Sequence, residues 1–280
     1  MNKVLCGKLK SRRMLIMGIL NITPDSFYDG GKYKDVHTAV EHAGTLIDAG
    51  ADIIDIGGES SRPGSLPVDV QLEIDRVVPV VREIGLRYDI PISVDTTKSV
   101  VARESLDSGA AIINDISAFT ADPAMIEVLS RYDVPVILMH MQGTPVTMQK
   151  NPSYAGWVVD EICAFFEERI VFSESNGISR DRIIIDPGIG FGKTVDHNLD
   201  IIANCKEFKR FRLPVLIGHS NKRFIGAVTG VETLEERLWG TVAVAAFLQL
   251  LGGVDIIRVH NVAEIKIVTR MIEALQNKMQ

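Results

Sequence analysis

Cysteine and long apolar runs are both scarce in this sequence. The three cysteines, Cys6, Cys163 and Cys205, lie far apart and form no Cys-x-x-Cys pair, which excludes a conventional structural zinc site. So few cysteines, and an odd number of them, also argue against a disulfide framework and favour buried thiols in a reducing compartment. We therefore expect a cytoplasmic protein.

The sequence also lacks a membrane segment and an excess of positive charge. No apolar run is long enough to span a bilayer, and the N-terminus has no apolar core of the kind found in signal peptides. The net charge of −6 argues against a general nucleic-acid or membrane-surface binder. What remains is typical of a globular chain: 46% hydrophobic and 24% charged residues over 280 positions, enough to bury a large core.

Eight short apolar runs alternate with longer amphipathic stretches. The runs cover residues 15–21, 52–58, 91–96, 111–116, 135–140, 182–188, 214–220 and 255–260. Most are near-continuous Ile, Val and Leu, as parallel strands buried on both faces require. The intervening stretches carry apolar residues at the three- and four-residue spacing of helices, and cover 36–49, 70–88, 99–108, 123–131, 154–175, 196–208, 234–251 and 263–276.

Eight strand–helix units predict an α/β fold, a single (β/α)8 TIM barrel over residues 14–280 with a short N-terminal extension over 1–13. An open doubly wound sheet shows the same alternation. The count of eight favours the barrel, and so does the absence of a dinucleotide glycine fingerprint after the first strand.

Polar residues stand at the C-terminal end of every predicted strand, where a barrel carries its chemistry. They are Asn21, the loop 59–62, Asp95, Asn114, His140, Asp186, the turn 220–222, Arg258 and His260. Buried polar groups cost free energy unless they are used, so a whole ring of them indicates a site. Asp95, Asn114 and Asp186 can bind a flat heterocycle through paired hydrogen bonds to its N–H donors.

A second set of strand-end residues predicts a phosphate site on this acidic protein. Arg62, Lys222, Arg258 and His260 supply positive charge suited to a phosphate or diphosphate. Asn21 offers a neutral oxygen ligand to Mg²⁺, which often binds together with substrate phosphates. The glycine-rich loops 23–31 and 57–64 are candidate lids.

Residues 188–194 (GIGFGKT) come close to a nucleotide-binding P-loop but lack its first glycine, because Pro187 holds that position. We interpret the segment as a tight turn that presents Asp186 and lays Phe191 over the barrel mouth. His140, at the end of strand five, is either a pocket residue or a structural one.

Six stretches in this order resemble the dihydropteroate synthase family of folate synthesis. They are residues 17–27 (MGILNITPDSF), 55–64 (DIGGESSRPG), 93–96 (SVDT), 113–116 (INDI), 186–191 (DPGIGF) and 258–260 (RVH). The resemblance implies a (β/α)8 homodimer. It also implies an enzyme that joins 6-hydroxymethyl-7,8-dihydropterin diphosphate to 4-aminobenzoate, releasing pyrophosphate and 7,8-dihydropteroate.

The resemblance also assigns residues to three subsites. The pterin pocket falls on Asp95, Asn114, Asp186 and Lys222, with Ile116, Met139, Phe191 and Gly218 around it. The diphosphate and Mg²⁺ site falls on Asn21, Arg62, Arg258 and His260. The aminobenzoate site and the closing loops involve Phe27, Asp29, Ser61, Pro63, Ser220 and Arg223. We expect Asp95, Lys222, Arg62, Phe27 and Asp29 to contribute to catalysis.

Three positions depart from the family pattern. Asn221 stands where the family usually has Arg, Ser61 where it mostly has Thr, and Asn261 where Asp is common. The loss of the arginine changes the turn that follows strand seven, near the expected aminobenzoate site.

The implied chemistry is diphosphate departure, assisted by Mg²⁺ and the cationic groups, from a pterin that delocalises the resulting cation. Three alternatives remain open at this point. A corrinoid-linked methyltransferase would share the Asp/Asn pocket, a Schiff-base aldolase would use Lys222, and a non-catalytic paralogue would bind pterins without turnover.

Overall fold

The computed structural model describes residues 13–22 and 32–279, in which strands and helices alternate. The strands are β1 (Leu15–Asn21), β2 (Ile53–Gly57), β3 (Ile92–Asp95), β4 (Ile112–Asp115), β5 (Val136–Met139), β6 (Ile183–Asp186), β7 (Leu216–Ile217) and β8 (Ile256–Val259). The α-helices are α1 (Lys32–Asp48), α2 (Val70–Arg87), α3 (Ser99–Asp107), α4 (Ala124–Ser130), α5 (Val158–Ser175), α6 (Val195–Ala203), α7 (Arg223–Thr229), α8 (Arg237–Leu251) and α9 (Val262–Gln276).

The eight strands form one parallel sheet that closes on itself. Their order is β6-β5-β4-β3-β2-β1-β8-β7. Between the two outer strands, Ile185 and Val215 form a parallel bridge, and the Ile185 N–H donates to the Pro214 carbonyl at 3.0 Å. The predicted (β/α)8 barrel is therefore confirmed, and the open doubly wound sheet was the wrong alternative.

The inside of the barrel has an apolar floor and a polar rim. The floor consists of Leu15, Met17, Ile53, Ile112, Ile137, Ile184, Leu216 and Ile256. Side chains of a strand alternate between its faces, so the residue two positions later points the same way. On four strands that residue is polar: Asp55, Asn114, Asp186 and Arg258. The two-residue period thus places the polar side chains directly above a closed apolar layer.

Glycines follow two of the helices. Gly50 has a φ of 103° and Gly109 a φ of 111°, both in the left-handed region that favours glycine. Each stands between a helix and the next strand, so a side chain there would strain the return of the chain to the barrel.

Some element boundaries differ from the predictions. The helix expected over 196–208 ends at Ala203, and a 3-10 helix over Cys205–Phe211 follows until Arg212 adopts a φ of 55°. Strand seven is only two residues long. Just before it, the Val215 carbonyl accepts from two successive donors, the Asp255 N–H and the Ile256 N–H, which interrupts the regular ladder. The short helix α7 was not predicted, since seven residues carry too little of a helical period.

The last features of the fold are the N-terminal end of the described chain, the two buried thiols and the character of the helices. Residues 1–12 lie outside the described residues, so the N-terminal extension stays a prediction; Arg13 forms an ion pair with Asp52 at 2.5 Å. Cys163 and Cys205 are buried free thiols, and the cytoplasmic location inferred from them also stays a prediction. Among the helices of residues 13–22 and 32–279, none is long and apolar enough to cross a membrane.

Candidate active site

One hydrogen-bond network, centred on Arg258, links residues of four strands inside the barrel mouth. Arg258 Nε donates to Asp55 Oδ2 at 2.5 Å, and its NH2 group donates to Asp95 Oδ2 at 2.9 Å. Asn114 Nδ2 donates to the same Asp55 oxygen at 3.2 Å. The other oxygen of Asp55 is buried and has no hydrogen-bond partner in the described part of the chain. The network therefore leaves one buried acceptor oxygen of Asp55 unpaired within the described residues.

Burial raises the pKa values of two carboxyl groups, the candidate catalytic group Asp95 and the candidate binding group Asp186. The pKa of Asp95 rises to about 7, because desolvation outweighs the opposing charge of Arg258. The pKa of Asp186 rises to about 6 for the same reason, although the Gly188 N–H donates to its Oδ1 at 2.7 Å. Perturbed carboxyls in a cleft are typical of functional sites.

An apolar wall stands beside these polar groups. Ile116, Met139, Met148 and Phe191 pack as one small buried cluster separate from the main core. Lys222 places its Nζ 4.2 Å from the centre of the Phe191 ring, a cation–π contact. Desolvation and the neighbouring Arg258 lower the pKa of Lys222 to about 8. The three wall residues predicted from the sequence thus meet, and Met148 is an addition.

Ile116 reaches the wall because of an unusual turn after β4. Asp115 accepts hydrogen bonds from the Ser117 N–H at 2.8 Å, the Ser117 hydroxyl at 2.6 Å and the Phe119 N–H at 2.8 Å. These bonds stabilise left-handed backbone at Ala118 and Phe119, with φ values of 49° and 70°. A buried carboxylate therefore shapes the loop without facing the site.

Loop two, which carries Ser61, Arg62 and Pro63, is fastened at its base. Lys98 forms ion pairs with Glu59, at 2.6 Å, and with the buried Glu73. Glu59 also accepts from the Val68 N–H at 2.6 Å, on the far side of the loop. Ser61 is half-buried, whereas Arg62 and Pro63 are exposed. The base of the loop is rigid, and its tip presents Arg62 to solvent.

The turns after β7 and β8 bind each other. Ser220 Oγ lies 3.0 Å from His260 Nδ1, and Asn221 Nδ2 donates to Asn261 Oδ1 at 3.3 Å. Asn221 has a φ of 56° and donates its N–H to Thr241 Oγ1 at 3.0 Å. The two family departures, Asn221 and Asn261, are therefore partners in one contact.

His260 lies at the exposed rim of the site, and its predicted role as a cation stays a prediction. Desolvation of its ring, together with the charges of Arg258 and Lys222, lowers its pKa to about 4. This direction favours the neutral imidazole, whose Nδ1 lies within hydrogen-bond distance of Ser220 Oγ.

Gly218 and Arg223 lie near the same turns. Gly218 stands beside Arg258: a Cβ built on it would lie 3.7 Å from Arg258 Cβ. Arg223 begins α7 and is exposed. Phe27 and Asp29 lie outside the described residues. The roles predicted for these four residues stay predictions.

The donor set around Asn21 fits Mg²⁺ only as a partner of a bound phosphate. Within residues 13–22 and 32–279, no group of three or more His, Cys, Asp or Glu side chains could hold a metal ion. Gly57 keeps space beside Asn21, since a Cβ there would lie 3.4 Å from Asn21 Oδ1. One neutral oxygen suits a Mg²⁺ that takes its other ligands from phosphates and water.

Sequence reasoning did not assign Asp55 or Lys193 to this site, and it placed Glu59 among the strand-end residues without its partner. Asp55, the partner of Arg258, follows the floor residue Ile53 by two positions, and this period was a usable signal. Glu59 carried a charge but no pattern that would pair it with Lys98. Lys193 was dismissed with the P-loop resemblance, yet it is almost fully buried, with 3% of its surface exposed.

With this geometry established, comparisons with known proteins identify the class. Residues 17–260 match the family described as pterin binding enzyme. This chain, a (β/α)8 barrel with carboxyl groups and an amide at its mouth, is therefore a member of the pterin-binding enzyme family.

The relatives narrow the class further. The Escherichia coli K12 dihydropteroate synthase is 47% identical over 259 residues, covering 92% of this chain and 90% of that protein. The Yersinia pestis dihydropteroate synthase, solved with a sulfonamide drug complex, is 42% identical, covers 96% of both chains and has a TM-score of 0.89. The chain therefore belongs to the dihydropteroate synthase family and is a folate-synthesis enzyme of that class.

A third relative was solved with two different ligands. The Xanthomonas albilineans dihydropteroate synthase with 4-aminobenzoic acid is 41% identical, with 94% of this chain and 93% of that chain covered and a TM-score of 0.88. In complex with 7,8-dihydropteroate it gives 39% identity, 94% coverage of both chains and a TM-score of 0.85.

Proposed function

We propose that this enzyme condenses 6-hydroxymethyl-7,8-dihydropterin diphosphate with 4-aminobenzoate, giving 7,8-dihydropteroate and pyrophosphate. One observation carries the proposal: the buried acceptors Asp186 and Asn114 stand beside an apolar wall, with Lys222 over the Phe191 ring. The related Xanthomonas albilineans enzyme, solved with 4-aminobenzoic acid and with 7,8-dihydropteroate, supports the same substrate and product here.

The pterin binds in the strand-borne half of the site. Asp186 and Asn114 accept and donate hydrogen bonds along the polar edge of the ring, while Ile116, Met139 and Phe191 cover its faces. Lys222 donates to the carbonyl side of the pterin. Asp95 in its ionised form stabilises the positive charge that grows on the ring as the diphosphate leaves.

The diphosphate lies toward Arg258, Arg62 and His260. Arg258 is shared with Asp55 and Asp95, so part of its charge is already compensated. Arg62 adds a second cation at this end. Asn21 would hold a Mg²⁺ that accompanies the substrate, and the metal would supply charge neutralisation for the leaving group. Ser61, Pro63, Ser220 and Arg223, with Phe27 and Asp29, form the expected aminobenzoate site and closing loops.

A pyrophosphate-release assay with both substrates and Mg²⁺ tests the proposal. We expect pyrophosphate and 7,8-dihydropteroate in equal amounts, and little release when 4-aminobenzoate is omitted, because the amine is the acceptor. A protein that binds the pterin diphosphate but releases no pyrophosphate would be the non-catalytic paralogue. Methyl transfer from methyltetrahydrofolate would instead identify a corrinoid-linked enzyme, and borohydride trapping on Lys222 would identify an aldolase.

We also propose a homodimer, which the resemblance implies. Its support is an exposed apolar face on the neighbouring helices α8 and α9, formed by Trp239, Phe247, Leu250, Ile267, Met271 and Leu275. Large apolar patches on a folded surface are typical of protein–protein contacts. Sedimentation equilibrium should give a dimer for the wild type and a monomer for Ile267→Glu with Met271→Glu. A monomeric wild type would contradict the proposal.

A further inference from the structure

The turn after β6 lies directly against the end of β5. Gly188, Gly190 and Gly192 have φ values of 69°, 80° and 68°, so every second residue of the turn is left-handed. A Cβ on Gly188 would lie 2.0 Å from the His140 carbonyl oxygen, and one on Gly192 would lie 2.5 Å from the Gln142 carbonyl oxygen. No side chain fits at either point. This is the segment whose sequence resembles a P-loop.

Its lysine does not face a phosphate but is buried under the turn. Lys193 Nζ lies 3.0 Å from His140 Nδ1 and donates to the Phe191 carbonyl at 3.0 Å and the His140 carbonyl at 3.4 Å. An ammonium has three N–H donors, and three acceptors surround this one. Burial lowers the pKa of His140 to about 2, so its ring is neutral and its Nδ1 is free to accept.

The turn 188–192 contributes two features to the proposed pterin pocket. It carries Phe191, the wall residue under Lys222, and its Gly188 N–H donates to Asp186. Outside the pocket it is fastened by Gln149, which donates to the Gly190 carbonyl at 2.6 Å, and by Tyr154, which donates to the Gly192 carbonyl at 3.0 Å. Lys193 is the corresponding fastening on the inside.

Charge gives Lys193 a second effect. The charged groups that act on Asp186 are Lys193 in its own loop, Lys222 after β7 and Arg258 on β8, while His140, just after β5, is neutral. Each of the three cations favours the ionised carboxylate, against the desolvation that raises its pKa to about 6. Burial in turn lowers the pKa of Lys193 to about 7, and Asp186 partly restores it.

We propose that Lys193 is a positioning residue for the pterin pocket. Its ammonium group holds the turn 188–192 on the end of β5, and its charge keeps Asp186 ionised for the ring's N–H donors. The inference rests on the proposed function, since it presumes that a pterin occupies this pocket.

The test is calorimetric titration of 6-hydroxymethylpterin into wild type, Lys193→Met and Lys193→Arg from about pH 5 to pH 9. Asp186 is ionised above its pKa of about 6 and Lys193 is protonated below its pKa of about 7, so both charges coexist mainly between these values. Removing the lysine raises the pKa of Asp186. We expect Lys193→Met to bind about tenfold more weakly near neutral pH, with the acid limb of its affinity moved upwards.

The control variant separates charge from packing. Lys193→Arg keeps the charge, so its acid limb should stay where the wild type has it even if affinity falls. A uniform loss at every pH in Lys193→Met, or an unchanged profile, would overturn the inference. If Lys193→Met does not fold, His140→Leu removes one of the three acceptors and should move the limb in the same direction; an unmoved limb there would also overturn it. A wild type that binds no pterin would refute the proposed function instead.

Discussion

The two halves of the active site are built differently. The proposed pterin half uses residues on strand ends, such as Asn114 and Asp186, that are buried and fixed by the barrel. The proposed diphosphate and aminobenzoate half uses loop residues, such as Arg62 and Pro63, that are exposed at the tip of loop two. That loop is fastened at its base by Lys98 and near its tip by one backbone bond, from the Gly64 N–H to the Pro145 carbonyl at 2.9 Å. A rigid polar half suits binding of a planar ring, and an adaptable half suits leaving-group departure and amine entry. Substitutions should therefore affect affinity in the first half and turnover in the second.

The largest effect is expected for Asp186→Ala. The substitution removes a buried acceptor that pairs with ring N–H donors, so pterin diphosphate affinity should fall by about 100-fold, or roughly 3 kcal/mol. Isothermal titration calorimetry measures this directly. Asp186→Asn, which keeps the shape and one acceptor, is the matched control and should lose less. Unchanged affinity in the alanine variant would remove Asp186 from the pocket and with it the distinction between the two halves.

Arg62→Ala should show the opposite pattern. Arg62 is exposed at the tip of loop two, so its loss should leave pterin affinity close to that of the wild type. Turnover should fall by about 10- to 100-fold, because a cation that stabilises the leaving diphosphate is missing. Steady-state kinetics with both substrates gives the split between kcat and KM. An Arg62→Ala enzyme with wild-type turnover would exclude loop two from catalysis.

The same contrast explains what the sequence could reveal. The barrel and the ring of strand-end residues follow from strand periodicity, a local property of the chain. The wall of Ile116, Met139 and Phe191 follows from the resemblance to the family. The pairing of Arg258 with Asp55, 203 positions apart, depends on closure of the barrel. The lowered pKa of His260 depends on charged groups that three different elements bring together. The burial of Lys193 depends on its contact with His140, at the end of β5. No local pattern encodes such contacts.

The pH profile offers a smaller effect on the strand-borne half. Asp95 and Asp186 have pKa values raised to about 7 and about 6, so both ionise as the pH increases from 6 to 7.5, and kcat/KM should rise by about tenfold per unit of pH on that limb. Towards pH 8 and above, the rate should fall as Lys193, with a pKa of about 7, and Lys222, with a pKa of about 8, lose their protons. In Asp95→Asn, the activity that remains should no longer show the rise in kcat/KM near pH 7. A flat wild-type profile from pH 6 to 8 would contradict the assignment of these carboxyls.

The smallest effect is expected at Asn221, where the loop-borne half departs from the family pattern. Its side chain binds Asn261 and Thr241, and its backbone has a φ of 56°, which costs a residue with a Cβ about 1 kcal/mol unless local bonds compensate. Asn221→Gly keeps the backbone and loses only the side-chain bonds, so we expect the KM for 4-aminobenzoate to rise about threefold. Asn221→Ala loses the same bonds and also strains the turn, so its KM for 4-aminobenzoate should rise further. Its pterin affinity should change less than twofold, or ~0.4 kcal/mol. Equal KM values for the two variants would show that the backbone conformation at 221 is not what sets the loop. Loss of pterin binding in either would show that the strand-borne half depends on this turn, and that the two halves are not independent.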